Sequence, residues 1–512
     1  MTLHTLYIRI AATVAAALLP LAAAAQEFTD TSAYFGKSIG LRPPRLLPDS
    51  AFAFNHPGYE VKKHPVKAAA ETFLINAGVW AFDRYALNAE FAHISMHTIR
   101  DNIKRGFVWD NDQFSTNLFA HPYHGGLYFN SARSNGMNFW QSIPYAAAGS
   151  LMWEFMAENE PAAINDWIAT TVGGVAMGEM TNRISLMVID ESERGWPRVG
   201  REAIAFIASP IRAINRMING DMWRVKTSHF KYHDFSRIPV HLHLGLGSRY
   251  IADDRHLFRG EYSPFLNLGV TYGDPFIASN RKPYDYFTLN LTANLTGNQP
   301  LVSEVNLMAK IWTKPIAIDE RTEMTVGVFQ HFNYYDSESV IDGEQAIPFK
   351  ISETASFGPG AIFRLSGREG FFNLEQRLFV SGVLLGGSLT DYYRVIDRNY
   401  NMGSGYGIKS FTDLHLGSYS HILVSASHLH LFTWKGYSAA DLAAVNPLYL
   451  NAQGDKGSAL LTILSSKLRF RLSRALTLGF DGTFYIRHTR YADYPDIDYR
   501  TFETRVGVYC NL

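Results

Sequence analysis

From about residue 237 to the end of the chain the apolar residues recur at every second position. Phe287, Leu289, Leu291, Ala293 and Leu295 alternate with Thr288, Asn290, Thr292 and Asn294. Val240 to Gly247, Glu304 to Ile311, Leu476 to Phe484 and Phe502 to Leu512 repeat the pattern. A period of two places successive side chains on opposite faces of a strand. About twelve such segments, each roughly ten to sixteen residues long, are separated by turn residues, whereas soluble strands average five or six. Segments of that length cross a bilayer at a tilt, and an even number of them can close into a barrel with no free edge. The faces opposite the apolar ones carry Glu304, Lys310, Glu375, Arg377, Lys467, Arg469 and Asp481. That much charge predicts a wet lumen rather than a packed core, which weighs against a soluble sandwich or a lipocalin-like barrel. Leu289, Leu291, Leu478 and Phe480 are then expected to face lipid.

The first half has a different period. Residues 1–25 read as a signal peptide: Arg9 before an apolar run from Ile10 to Leu21, then Ala23-Ala24-Ala25, leaving Gln26 as the mature N-terminus. Residues 26–65, with Arg42-Pro43-Pro44-Arg45, read as an extended lead-in. Phe73, Ala77, Trp80, Tyr85 and Phe91 signal a helix from Val66 to about Arg105. Trp109 to Gly136 reads as a loop. Further helices are expected from about Asn138 to Met156, from Asn165-Asp166 to about Ile189, and from Arg201 to Ile218 before Asn219-Gly220. Gly174 and Gly178 form a small-x-x-x-small pair that lets another helix approach closely. The fold class is therefore α+β: a helical domain over 66–225, periplasmic, plugging the barrel or packed against it, followed by a transmembrane antiparallel β-barrel of about twelve strands over 237–512.

Composition excludes some functions. Lys plus Arg and Asp plus Glu balance at 47 each, so no global field draws in nucleic acid. Mean hydropathy is −0.09, too low for a polytopic helical membrane protein but compatible with alternating strands. Cys510 is the only cysteine, so no intrachain disulfide forms. The expected partners are outer-membrane lipid and a small solute or lipid ligand, with no nucleic acid.

Polar residues concentrate in the helical half. His121 and His124 precede Arg133; Glu154 sits in an apolar segment; Asn165-Asp166 opens the next one; Glu179 and Arg183 lie one turn apart. Charges in apolar helices need partners. Two histidines with two carboxylates (His121, His124, Glu154, Glu179) suit a divalent metal, and the same groups with Asp166 suit acid–base chemistry. The alternative is structural: an i,i+4 ion pair for Glu179 and Arg183, a cap for Asp166 and satisfied loop histidines. In the barrel half, His331 falls on the lumen face with Asn333. Outer-membrane phospholipase and lipid A deacylases use His with Ser at the barrel wall, but this chain has no His-x-Ser-Asn-Gly motif.

Asn111 to Asn130, Ala132 to Gly136, Gly149 to Glu154 and Asn165-Asp166 to Gly178-Glu179 together resemble a bacterial outer-membrane family known as domain of unknown function 3943, over about residues 60–220. Asp166 to Gly178 is also similar to helices of VanZ-like membrane proteins. The resemblance implies location and architecture but no reaction, and it leaves the cofactor unknown. Two functions stand at this level: envelope structure or small-solute passage, and a lipid-modifying envelope hydrolase working through the His121/His124/Glu154 group or His331.

Overall fold

The computed structural model describes residues 62–511, except 110–111, 192, 226–238, 255, 278–281, 296–297, 341–346, 368–370, 393–398, 418 and 445–453. The signal-peptide reading of 1–25, and most of the lead-in, lie outside the described residues.

The helical half comprises α1 (Pro65–Phe82), α2 (Met96–Arg105), α3 (His121–Ser134), α4 (Phe139–Met156), α5 (Ile164–Ile168), α6 (Gly174–Val188), α7 (Gly195–Ala208) and α8 (Pro210–Ile218). Single wide π-turns, Thr116–Ala120 and Ala169–Gly173, lead into α3 and α6. Local signals fix several ends. Asn138 and Gln141 form a reciprocal capping box at the start of α4, as Ser95 and Thr98 do for α2. Pro210 ends α7 at the residue before it, so the single helix expected from Arg201 to Ile218 is two. Asn165 and Asp166 lie inside the first turn of α5, whose cap is Ala163. The expected cap at Asn165-Asp166 is corrected accordingly.

The stretch read as a loop, Trp109 to Gly136, is corrected more deeply: half of it is α3, entered through the π-turn Thr116–Ala120. Its Gly, Asn, Ser and His content gives poor helix propensity. What holds it is contact. A methyl added at Gly125 would meet the Thr170 carbonyl oxygen at 1.7 Å, and one at Gly174 would meet the Gly125 Cα at 2.6 Å. Gly126 faces Gly178 less tightly, a methyl there meeting the Gly178 backbone nitrogen at 3.3 Å. Two glycine pairs bring α3 and α6 backbone to backbone, and tertiary packing overrides propensity.

Twelve antiparallel strands follow: β1 (Val240–Asp253), β2 (His256–Tyr272), β3 (Phe287–Asn294), β4 (Val302–Ala317), β5 (Thr322–Asp336), β6 (Lys350–Ser366), β7 (Phe372–Leu389), β8 (Tyr400–Leu416), β9 (Ser420–Thr433), β10 (Gly457–Arg471), β11 (Leu476–Tyr491) and β12 (Ile497–Asn511). Each pairs with its sequence neighbour, and β12 pairs with β1 in register Leu246↔Val508, closing the barrel. Connections 318–321, 367–371, 417–419 and 472–475 are short and share one end with the start of β1 and the end of β12. Connections 337–349, 390–399 and 434–456 are longer and occupy the other.

Contacts between strands that are not neighbours identify the lumen. Arg505 of β12 reaches Glu304 of β4 at 2.5 Å. The rings of Tyr335 on β5 and Tyr485 on β11 lie 6.1 Å apart. The opposite faces carry exposed Leu246, Val424, Phe480, Phe484, Val506 and Val508, an apolar outer wall. The charged lumen face was expected to be wet; instead it is packed. Ile351, Val383, Leu429, Leu461 and Tyr485 enclose Val340 and Phe349 of the β5–β6 connection. Met308, Phe329, Ile362 and Phe379 enclose Tyr286 and Phe276 of the β2–β3 connection. Charges coexist with these clusters because they are paired. Arg249 meets Glu503 at 3.0 Å, and Lys409 meets Glu353 at 2.5 Å, both pairs fully buried.

The helical half sits on the outer wall, not in the lumen, which corrects the plug reading. Gln330 and Tyr334 alternate with the lumen residues His331 and Tyr335. Gln330 donates to the Val172 carbonyl at 3.1 Å, and Tyr334 stacks on Phe114 at 5.2 Å. Thr354 of β6 donates to Leu118, and Asn117 donates to the Tyr400 hydroxyl of β8 at 2.7 Å. Leu289, Leu307 and Phe332 join Phe129, Phe139, Val175 and Met177 in the largest apolar cluster. Leu289 and Leu291 therefore face helices rather than lipid, whereas Phe480 remains bare. The covered wall is also the polar one. Gln330 and Thr354 would be unsatisfied against hydrocarbon, and helix carbonyls take their protons instead.

Candidate functional site

The polar residues of the helical half resolve into separate local groups. Glu179 is fully buried on α6 and accepts from Arg133 of α3 at 2.7 and 3.1 Å and from Arg183, one turn on, at 2.9 Å. Arg183 continues to Asp285 of the β2–β3 connection at 3.0 Å and donates to the Pro283 carbonyl at 2.8 Å. Tyr284, between those two residues, has φ +64°, a left-handed conformation costly for a bulky side chain. The flip sends its ring to Phe139 and its hydroxyl to Gln330 at 3.0 Å. This chain of charges latches the helices to the barrel.

His121 lies 3.7 Å from Asp166 and 3.4 Å from the Thr170 hydroxyl, and Asn165 donates to Asp166 at 2.7 Å. His124 points the other way, to the Tyr128 hydroxyl at 2.9 Å and edge-on to Trp153 at 5.0 Å. Burial, and then the neighbouring His121, hold its imidazole down to a pKa of about 3, so it is neutral. Glu154 accepts from the Ala163 backbone N–H at 2.9 Å. The structure thus joins His121 with Asp166, and Glu179 with Arg133 and Arg183. It does not bring His121, His124, Glu154 and Glu179 into one ligand set.

His331 does face the lumen, packed edge-on against Phe379 at 5.0 Å beside the Glu353–Lys409 pair. The hydroxyls near it, Ser356 and Ser381, both donate to Glu353, at 2.5 and 2.9 Å. Above this layer, Arg505 bridges Glu304 and Glu503, while Arg249 bridges Glu503 and Asn294. Two belts of opposed charge therefore cross the lumen.

A third group escaped the sequence reading. Asp413, His415 and His421 sit around the short β8–β9 turn at the end of the barrel where the chain enters. His415 and His421 are cross-strand partners, and Asp413 is two residues earlier on the same lumen face. Among the described residues, these are the three whose potential ligand atoms converge, all within 4.8 Å of one another. The signal was present as two histidines flanking a tight turn about Gly417, with an aspartate at i−2 from the first. It was invisible without the hairpin register.

The profile of a family described as domain of unknown function (DUF3943) matches residues 106–211, bearing out the resemblance over that span. None of the curated proteins matches the chain. Solved structures similar to it include the NanC porin (11% identity, 52% of this chain and 100% of that chain, TM-score 0.27). The outer-membrane channel DcaP of Acinetobacter baumannii is another (10%, 54% and 97%, TM-score 0.22). The transport unit of the autotransporter AIDA-I from Escherichia coli is a third (11%, 58% and 97%, TM-score 0.24). At such values the likenesses add nothing to the closed strand order described above.

Proposed function

We propose that this chain is an exported outer-membrane β-barrel that gives small polar solutes a gated passage, with its helical half seated in lipid against the barrel wall. One observation carries the reading. Side chains alone just fill an eight-stranded barrel, and twelve strands enclose more room. Here the extra room is filled by connections: Val340 and Phe349 near one end, Phe276 and Tyr286 towards the other. Connections can withdraw where strands cannot. A path lined by the Arg505–Glu304–Arg249–Glu503 and Lys409–Glu353 belts would then be open to small charged or zwitterionic solutes.

The seat of the helices follows from the wall they cover. A body packed on the outward faces of β2–β8 displaces lipid there. Its own outer surface exposes Trp196, Val199, Phe206, Ile207, Met217 and Ile218 on α7 and α8, next to Arg and Glu on their other faces. Arg198, Glu202 and Arg216 are turned inward and paired with one another, so the face left outside is apolar, as a lipid-facing one would be. Among the described residues no helix is long and apolar enough to cross a membrane.

The test is single-channel recording of the purified protein in planar bilayers. Wild type should be mostly closed, and the double substitution Val340→Gly with Phe349→Gly should raise open probability. Channels silent in both proteins, with heat-modifiable folding intact, would overturn the passage reading.

A further inference from the structure

We propose that Asp413, His415 and His421 form a binding site for a divalent transition metal of the zinc class at the short-turn mouth of the barrel. The geometry is built by the hairpin. Direct cross-strand partners hold their Cβ atoms about 5 Å apart on one face, and His415 and His421 are such a pair. Their rings lie parallel, 4.3 Å between centroids with 2° between planes. Both Nε2 atoms point at one atom, the Asp413 Oδ1, at 3.2 and 2.6 Å.

That convergence is poorly explained by hydrogen bonding alone. The Nε2 of His421 and the Oδ1 of Asp413 are buried atoms that make no hydrogen bond of acceptable geometry. Two protonated imidazoles stacked face to face would repel each other. A cation between the three atoms satisfies all of them at once. Two imidazoles and one carboxylate suit Zn²⁺, Ni²⁺ or Cu²⁺, whereas Mg²⁺ and Ca²⁺ prefer oxygen. Three protein ligands also leave a position for water.

The surroundings permit entry. His415 is half exposed at the mouth, so an ion reaches the site from the aqueous side. The nearest competing cation is Arg377, 3.9 Å from Asp413 Oδ2, and it also meets Glu375. Arg364 is engaged by Asp274 and Glu375. A bound ion would tie β8 to β9 at their turn, a cross-link the hairpin otherwise lacks.

Equilibrium dialysis of the full-length, untagged protein in detergent, stripped with chelator and titrated with Zn²⁺, tests this. Wild type should bind one equivalent more tightly than any residual sites. His421→Ala and Asp413→Asn should each lose it, weakening binding at least as much as loss of an outer-shell partner does, about 10–100-fold. Heat-modifiability shows whether each variant is a folded barrel. His421→Gln is a second variant of similar size should alanine disturb the hairpin. Equal zinc binding by wild type and the folded variants overturns the proposal, as does a wild type that binds no zinc.

Discussion

Arg183 of α6 stands 3.0 Å from Asp285 of the β2–β3 connection and 2.9 Å from Glu179 on its own helix, so one guanidinium joins the helical half to the barrel. Burial works against the charge of Arg183, but Asp285 and Glu179 facing it outweigh that and hold its pKa above the ordinary arginine value. Glu179 is the hub, since Arg133 depends on it as well. Glu179→Ala takes the carboxylate from Arg133 and leaves Arg183 only Asp285, and breaking a buried pair in this way costs about 3–5 kcal/mol. Asp285→Asn leaves Arg183 its bond to Glu179 and should cost far less. Limited proteolysis of the helical half in detergent measures both. Equal protease resistance of wild type and Glu179→Ala would show that the latch does not hold the body in place.

A second prediction concerns the α3–α6 crossing. A Cβ at Gly125 collides with backbone at 1.7 Å, whereas one at Gly126 finds its nearest atom at 3.3 Å. Gly125→Ala should therefore destabilise the helical half by at least the roughly 1–3 kcal/mol typical of overpacking, while Gly126→Ala, which asks its neighbour to give by only a few tenths of an ångström, should cost less. Urea midpoints of the two variants should differ clearly. Matching midpoints would mean the crossing is looser than described.

The barrel was legible in the sequence and its neighbours were not, for one physical reason. Alternation reports which face of a strand is apolar, and Leu289 is apolar whether lipid or a helix covers it. Closure and an approximate strand number follow from the alternation and turn residues; the register and what lies on the wall do not. Lumen charges such as Glu304 and Arg505 are 201 residues apart, and only closure makes them a pair, so a packed lumen looked wet. Helix α3 was missed because its propensity is poor and its stabilisation comes from Gly174 and Gly178 on another element. Within the polar group, the i,i+4 spacing of Glu179 and Arg183 was readable, but Arg133 and Asp285 were brought there by the fold.

The wall itself gives a third prediction. Phe480 is bare and Leu289 is covered. Phe480→Arg places a charge in lipid, a cost of about 2–4 kcal/mol near the midplane, and should impair folding of the barrel. Leu289→Arg should spare the barrel and loosen the helical half. Heat-modifiability and proteolysis read the two effects separately. If both variants lose heat-modifiable folding to the same extent, the helices do not cover β3 in the membrane.

The last prediction follows from His124. Its folded pKa is lowered to about 3, against 6.5 ordinarily, by burial and then by His121. Between those values the unfolded chain binds a proton that the folded one does not. Stability from this residue is therefore complete above about pH 6.5 and is lost as pH falls towards 3, at up to about 1.4 kcal/mol per unit. Its hydrogen bond with the Tyr128 hydroxyl and its edge contact with Trp153 would go with it. Other acids titrate in the same range, so the comparison is between wild type and His124→Gln, which keeps a polar group beside Tyr128. The wild-type urea midpoint for the helical half should fall more steeply from pH 7 to 4.5 than that of the variant. Parallel pH profiles would mean that water reaches His124 and the imidazole titrates normally.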